Sequence, residues 1–131
     1  MTPQQIYQML VSASADVPWA YYRFLDTPEN PAPAPPFGCF FYPSHDDFYA
    51  NDQNFQRIAE LDVELYTDNK DFELEDSFEA AFASNGLAWT KDETYIDSER
   101  LHMTTWTMQV VLTAAVTPPA PAPDTTTEQG G

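Results

Sequence analysis

Residues 55–67 read FQRIAELDVELYT, and their alternation narrows the folds open to this chain more than any other stretch. Ala59, Leu61, Val63 and Leu65 recur at every second position, with Glu60, Asp62 and Glu64 between them. Successive strand residues point to opposite faces, so this period marks a strand buried on one side only. The rest of the chain must then cover the apolar face of a sheet and leave the other face polar.

The flanking segments supply such cover. Thr2, Pro3 and Gln5 open a first helix: Thr-x-x-Gln is a capping box, and proline suits the first helical position. Ile6, Met9, Leu10 and Ala13 fall at helical spacing, and the run ends near Ser14–Asp16, before Pro18. Trp19–Phe24 reads as a short aromatic strand. Phe37–Tyr42, FGCFFY, is a second strand, continued by DDFYAN beyond Pro43, a proline that calls for an edge or a bulge. A second helix starts at Asp68 or Asp71, with Glu73, Glu75 and Asp76 in its first turns, where the helix dipole favours anions. Leu74, Phe78, Ala81 and Phe82 form its core-facing stripe, and Gly86 fits a left-handed position after its end. Leu87–Tyr95 and Leu101–Val116 complete the set as strands joined by a polar hairpin at Ile96–Arg100, with Trp106, Met108, Val110 and Leu112 on one face. The order α-β-β-β-α-β-β predicts an α+β fold: an antiparallel sheet of about five strands with two helices packed on one face. Residues 1–116 are expected to form one domain. Residues 117–131, TPPAPAPDTTTEQGG, lack any large apolar side chain and read as a disordered tail. The proline cluster Thr27–Pro36 reads as a stiff extended loop.

Charge excludes several functions. The 131 residues carry 21 acidic and 5 basic side chains, a formal net charge of −16. Binding nucleic acid by neutralising phosphates needs clustered Lys and Arg, and Arg23, Arg57, Lys70, Lys91 and Arg100 are scattered along the chain. Attachment to an anionic membrane fails for the same reason. No apolar run approaches the roughly 20 residues of a membrane span, and MTPQQIYQML has no signal-peptide character. A lone cysteine cannot close an internal disulfide, so a reducing cytoplasm is the simplest compartment. Cys39, inside an apolar strand, reads as a small buried core residue. No Gly-rich phosphate loop is present. His45 beside Asp46 and Asp47 reads as a solvated turn; His102 is distant, and Asp46, Asp47 and Asp52 lack the spacing of a calcium loop. The expectation is a protein that is not an enzyme and uses no metal or cofactor.

Glu60, Asp62 and Glu64 project side by side, about 7 Å apart along one strand face. Such a row is either a solvated sheet face or a surface that lines a channel or meets a basic partner. Phe41, Phe48, Tyr49 and Phe55 exceed what one thin sheet needs, and aromatics favour interfaces, which marks the Phe40–Tyr49 and Phe55–Leu65 strands as a subunit contact.

At Glu64-Leu65-Tyr66-Thr67, Asn69-Lys70-Asp71 with its following acidic helix, and Tyr95-Ile96-Asp97-Ser98-Glu99, the chain resembles the small tail-component proteins of prophages and long-tailed phages. The resemblance spans roughly Thr2 to Leu112. It implies a tail terminator, or tail-completion, protein: a structural virion subunit at the head–tail junction, assembled in the host cytoplasm, whose hexameric ring caps the tail tube. Its implied partners are further copies of itself, the major tail tube protein and a head-completion or connector protein. DNA would pass through the ring without being bound, and an acidic lumen of Glu60, Asp62 and Glu64 would repel its phosphates. The Thr27–Pro36 loop and the segment after Thr117 are longer than the family pattern and carry no implied role. The alternatives are another connector or tube subunit, and an acidic DNA mimic that blocks a host nucleic-acid-binding protein.

Overall fold

The computed structural model describes the backbone of residues 1–49 and 55–113, with side chains for 1–44 and 58–113. The tail expected at 117–131 lies outside the described residues. The chain runs α1 (Pro3–Ala13), β1 (Trp19–Tyr21), β2 (Phe37–Tyr49), β3 (Phe55–Thr67), α2 (Phe72–Ser84), β4 (Trp89–Ile96) and β5 (Leu101–Leu112). The five strands form one sheet in the order β1-β2-β3-β5-β4. The α+β class, the number of strands and the two helices on one face match the expectation. The sheet is mixed, because β1 runs parallel to β2 while the other neighbours are antiparallel.

The apolar side of β3 becomes the centre of the core. Ala59, Leu61, Val63 and Leu65 are buried against Trp106, Met108, Val110 and Leu112 of β5, beneath Ile6, Met9 and Leu10 of α1 and Phe78 and Phe82 of α2. The rings of Phe78 and Phe82 lie 5.9 and 5.5 Å from that of Trp106. Burying five such aromatic and aliphatic side chains contributes on the order of 10 kcal/mol before chain entropy is subtracted.

Local chemistry sets the element ends. The Thr2 hydroxyl accepts from Gln5 N–H at 3.1 Å while Gln5 Oε1 accepts from Thr2 N–H at 2.9 Å, the reciprocal capping box. Thr2→Ala should lower stability by about 1 kcal/mol, read from urea unfolding. Asp71 caps α2 by accepting from Leu74 N–H at 3.1 Å. The far end closes with Leu87 N–H on the Phe82 carbonyl and Gly86 N–H on the Ala83 carbonyl, both 3.0 Å. That closure places Gly86 at φ 72°, a conformation that disfavours any side chain. Pro43 sits where the β2–β3 register slips between Phe41 and Ser44, a bulge that accommodates a residue with no N–H to donate.

β1 is shorter than the expected Trp19–Phe24. After Tyr21 the chain leaves the sheet in a tight turn, with Arg23 N–H donating to the Tyr21 carbonyl and Tyr22 N–H to the Phe40 carbonyl, each at 2.8 Å. Tyr22, at φ 72°, occupies the left-handed region, which a bulky residue adopts only under strain.

Candidate functional site

The polar side of the sheet is organised in three rows. β3 supplies Glu60, Asp62, Glu64 and Tyr66 down the middle. Opposite them β2 presents Ser44, Phe41, Cys39 and Phe37, and β5 presents Gln109, Thr107, Thr105 and Met103. The three acids are half-buried. Thr107 Oγ1 donates to Asp62 at 3.1 Å, and the Tyr66 hydroxyl donates to Glu64 at 2.8 Å. Tyr66 ionises less readily than an ordinary tyrosine, first because it is partly buried and then because Glu64 holds its proton. Partial burial and the neighbouring Asp62 carboxyl also raise the pKa of Glu60, against a smaller opposing bond from Ser44.

That shift has a testable sign. A carboxyl whose folded pKa lies above its unfolded value binds its proton more tightly in the fold, so its charged form weakens the fold at neutral pH. Glu60→Gln should therefore raise the melting temperature at pH 7. The gain should vanish at about pH 3, below the ordinary glutamate value near 4.3, where Glu60 is itself protonated.

The other half of this face is aromatic. The chain after β1 folds back over it, stacking Tyr22 on Phe41 at 5.6 Å and setting Phe24 edge-on to Phe37 at 5.8 Å, while Phe37 stacks on Tyr66 at 4.9 Å. Cys39 lies beneath this cover. It is buried, as the sequence predicts, but it lies on the outer side of the sheet, paired with Glu64 and apart from the main cluster between sheet and helices. Burial and then the Glu64 charge push its thiol pKa up, with a bond from Phe24 N–H in opposition. A thiol held in its neutral form is a poor nucleophile.

Of the residues expected at a subunit contact, Phe41 is on this face under Tyr22. Phe48, Tyr49 and Phe55 lie in the β2–β3 hairpin, where Tyr49 pairs with Phe55 and Phe48 with Gln56; their side chains lie outside the described residues, as do those of His45, Asp46, Asp47 and Asp52. Among the described residues no group of three or more His, Cys, Asp or Glu side chains is placed to hold a metal ion, and no helix is long and apolar enough to cross a membrane.

Two features escaped the sequence reading. The cations are not all scattered, because Lys70 and Lys91 converge on Glu75, whose side chain is 2% exposed. Both ammonium groups lie 2.8 Å from the same Glu75 oxygen; Lys70 also meets Glu93 at 2.6 Å and Lys91 meets Glu79 at 2.8 Å. The remaining Glu75 oxygen accepts from Thr104 at 3.3 Å, and Glu79 accepts from the Trp106 indole N–H at 3.0 Å. Glu75 is thus no simple dipole partner in the first turn of α2; it ties that helix to β4 and β5. The signal was available, since the only two lysines of the chain flank α2. The second feature is the turn after β1. Tyr21, Tyr22 and Leu25 are 55%, 67% and 67% exposed and, with Arg23, line a shallow hollow at the sheet edge. Consecutive aromatics in WAYYRF hinted at it, because a half-buried strand alternates.

No protein-family model matches this chain, and no curated protein does. Among solved structures, a chain from the virion of a native gene transfer agent particle is similar in fold, with a TM-score of 0.50 at 13% identity, over 84% of this chain and 93% of that one. At that identity the likeness establishes a shared fold.

Proposed function

We propose that this chain is a structural subunit of a phage-like virion, and within it a tail terminator that caps the tail tube and joins it to the head connector as a hexameric ring. The observation that carries this reading is the fold shared with a virion chain along 93% of that chain's length. The sequence motifs at 64–71 and 95–99 narrow it to tail completion. A charge of −16 suits a conduit for DNA, since a ring of such subunits repels phosphate and keeps the passing duplex from adhering. The acidic row Glu60, Asp62, Glu64 is the face assigned to the lumen, and Phe41, Phe48, Tyr49 and Phe55 to the contacts between subunits. The partners are further copies of the chain, the tube protein and the connector; no catalytic step, cofactor or metal is involved.

Negative-stain microscopy of the purified protein, alone and with purified tail tubes, tests the reading. Rings or capped tube ends are expected. Long tubes formed by this chain alone would make it a tube subunit. A monomer that ignores tubes and captures a basic nucleic-acid-binding protein would make it a DNA mimic.

A further inference from the structure

The two long edges of the sheet differ in chemistry. On one side β1 covers β2 only at Gly38, Cys39 and Phe40. There the chain turns through Tyr22 in its left-handed conformation and exposes Tyr21, Tyr22, Arg23 and Leu25. The strain sits at the surface, since the Tyr22 side chain is two-thirds exposed while its N–H bonds the Phe40 carbonyl. Strain kept at a surface points to a use for the displayed side chains. Tyrosine and arginine are also the residues that dominate binding energy at protein contacts. Arg23 makes no ion pair with the described residues, whereas both lysines are consumed inside the fold.

On the other side β4 ends the sheet, with no strand beyond it among the described residues. It carries Asp92 on the outer face, opposite Thr105, and Tyr95 is 48% exposed. The two edges are level. Tyr21 pairs with Phe40, Phe40 with Val63, Val63 with Trp106 and Trp106 with Lys91, so the turn after β1 and the middle of β4 lie at opposite ends of one cross-sheet row.

We infer that the Tyr21–Leu25 turn is the contact by which one copy of this chain grips the next, with Arg23 seated on Asp92 of the neighbour's edge strand. This rests on the ring reading above and names its interface. The occupant is a second copy because the chemistry is complementary within one chain: an exposed arginine among tyrosines on one edge, and on the other the exposed carboxylate of Asp92, its neighbour Glu93 being already paired with Lys70. Copies at −16 repel one another, so association needs a local attraction of this kind to set its geometry. Joining different patches is also the contact that closes rings. Tyr22, stacked on Phe41, makes the turn continuous with the hairpin assigned to subunit contacts.

A charge swap tests it, read by sedimentation velocity and by tube capping, with circular dichroism and melting temperature as checks on folding. Arg23→Glu and Asp92→Arg should each weaken assembly at least tenfold with the fold intact. The double variant should recover it, as should an equimolar mixture of the two single variants. Tyr22→Gly, which suits φ 72°, should also melt as a folded protein yet assemble poorly. Rings that survive Arg23→Glu, or a double variant that does not recover, would overturn this interface and leave the terminator reading standing. A wild-type chain that stays monomeric both alone and on tail tubes would overturn both.

Discussion

Replacing Glu75 with alanine should lower the stability of this protein by about 3–5 kcal/mol, the usual result of removing one partner from a buried ion pair. The melting midpoint should fall by roughly 10 °C, at about 3 °C per kcal/mol for a chain of this size. The reason lies in what remains. Lys70 and Lys91 are 21% and 29% exposed, and both direct their charge at the Glu75 oxygen. Without it Thr104 loses its buried acceptor, and α2 loses its tie to β4 and β5. Glu75→Gln keeps the shape and one acceptor, so it should cost less than the alanine variant.

The pH dependence of that difference follows from the direction of each shift. Burial pulls Glu75 and Glu79 toward higher pKa, but bonds and charges from the lysines outweigh it and hold both below the ordinary value. Their contribution is complete above about pH 4.3 and is lost as pH falls through the lowered folded values. Burial likewise opposes the charge on Lys70 and Lys91, yet the glutamates hold both lysines above the ordinary value. Their contribution is complete below about pH 10.4 and is lost as pH rises through the raised folded values. The gap between wild type and Glu75→Ala should therefore be flat from about pH 5 to 10 and narrow at both extremes. A gap that kept its size at about pH 2 would show that lost packing, not lost charge pairing, explains the variant.

The parts of the fold that could be read from the sequence are those whose cause is local. β3 is legible because the alternation from Ala59 to Leu65 has one strand solution. The cap at Asp71 and the left-handed Gly86 are legible because a helix end must satisfy its own backbone groups. β1 is too short, at three residues, for any period to show, and its parallel pairing depends on how α1 returns to the sheet. The face of Cys39 was hidden because FGCFFY is apolar throughout, so nothing in it says which side the loop at 22–25 will cover. Glu75 misled for a related reason. An acid in the first turn of a helix has a sufficient local explanation, and only the fold brings Lys91 to it. The acidic row stood out at once, whereas the aromatic ledge beside it is assembled from β2, β3 and the turn after β1 and has no single stretch of sequence as its signature.

The second large effect is expected at Gly38. A Cβ there would fall inside the indole of Trp19, which lies flat against the strand. Trp19 has no room to retreat, since Phe78 of α2 packs edge-on behind it at 5.3 Å. Its indole N–H is buried with no acceptor among the described residues, so shape alone holds the ring in place. Gly38→Ala should therefore cost about 2–3 kcal/mol, the upper part of the range for overpacking, measured by urea unfolding. The consequence should reach further than stability. Trp19 pairs with Gly38 at the start of β1, and β1 is the short strand that delivers the Tyr21–Leu25 turn to the sheet edge. Displacing the indole shifts that turn, so Gly38→Ala should weaken assembly even at temperatures where the protein remains folded. Thr2→Ala serves as the comparison, because it lowers stability from the opposite end of α1 and leaves β1 in place. If the two variants, compared at equal distance below their melting temperatures, lost assembly equally, the turn would owe its placement to global stability. A loss confined to Gly38→Ala would show that one glycine, by admitting one indole, positions the edge through which the chain meets its neighbour.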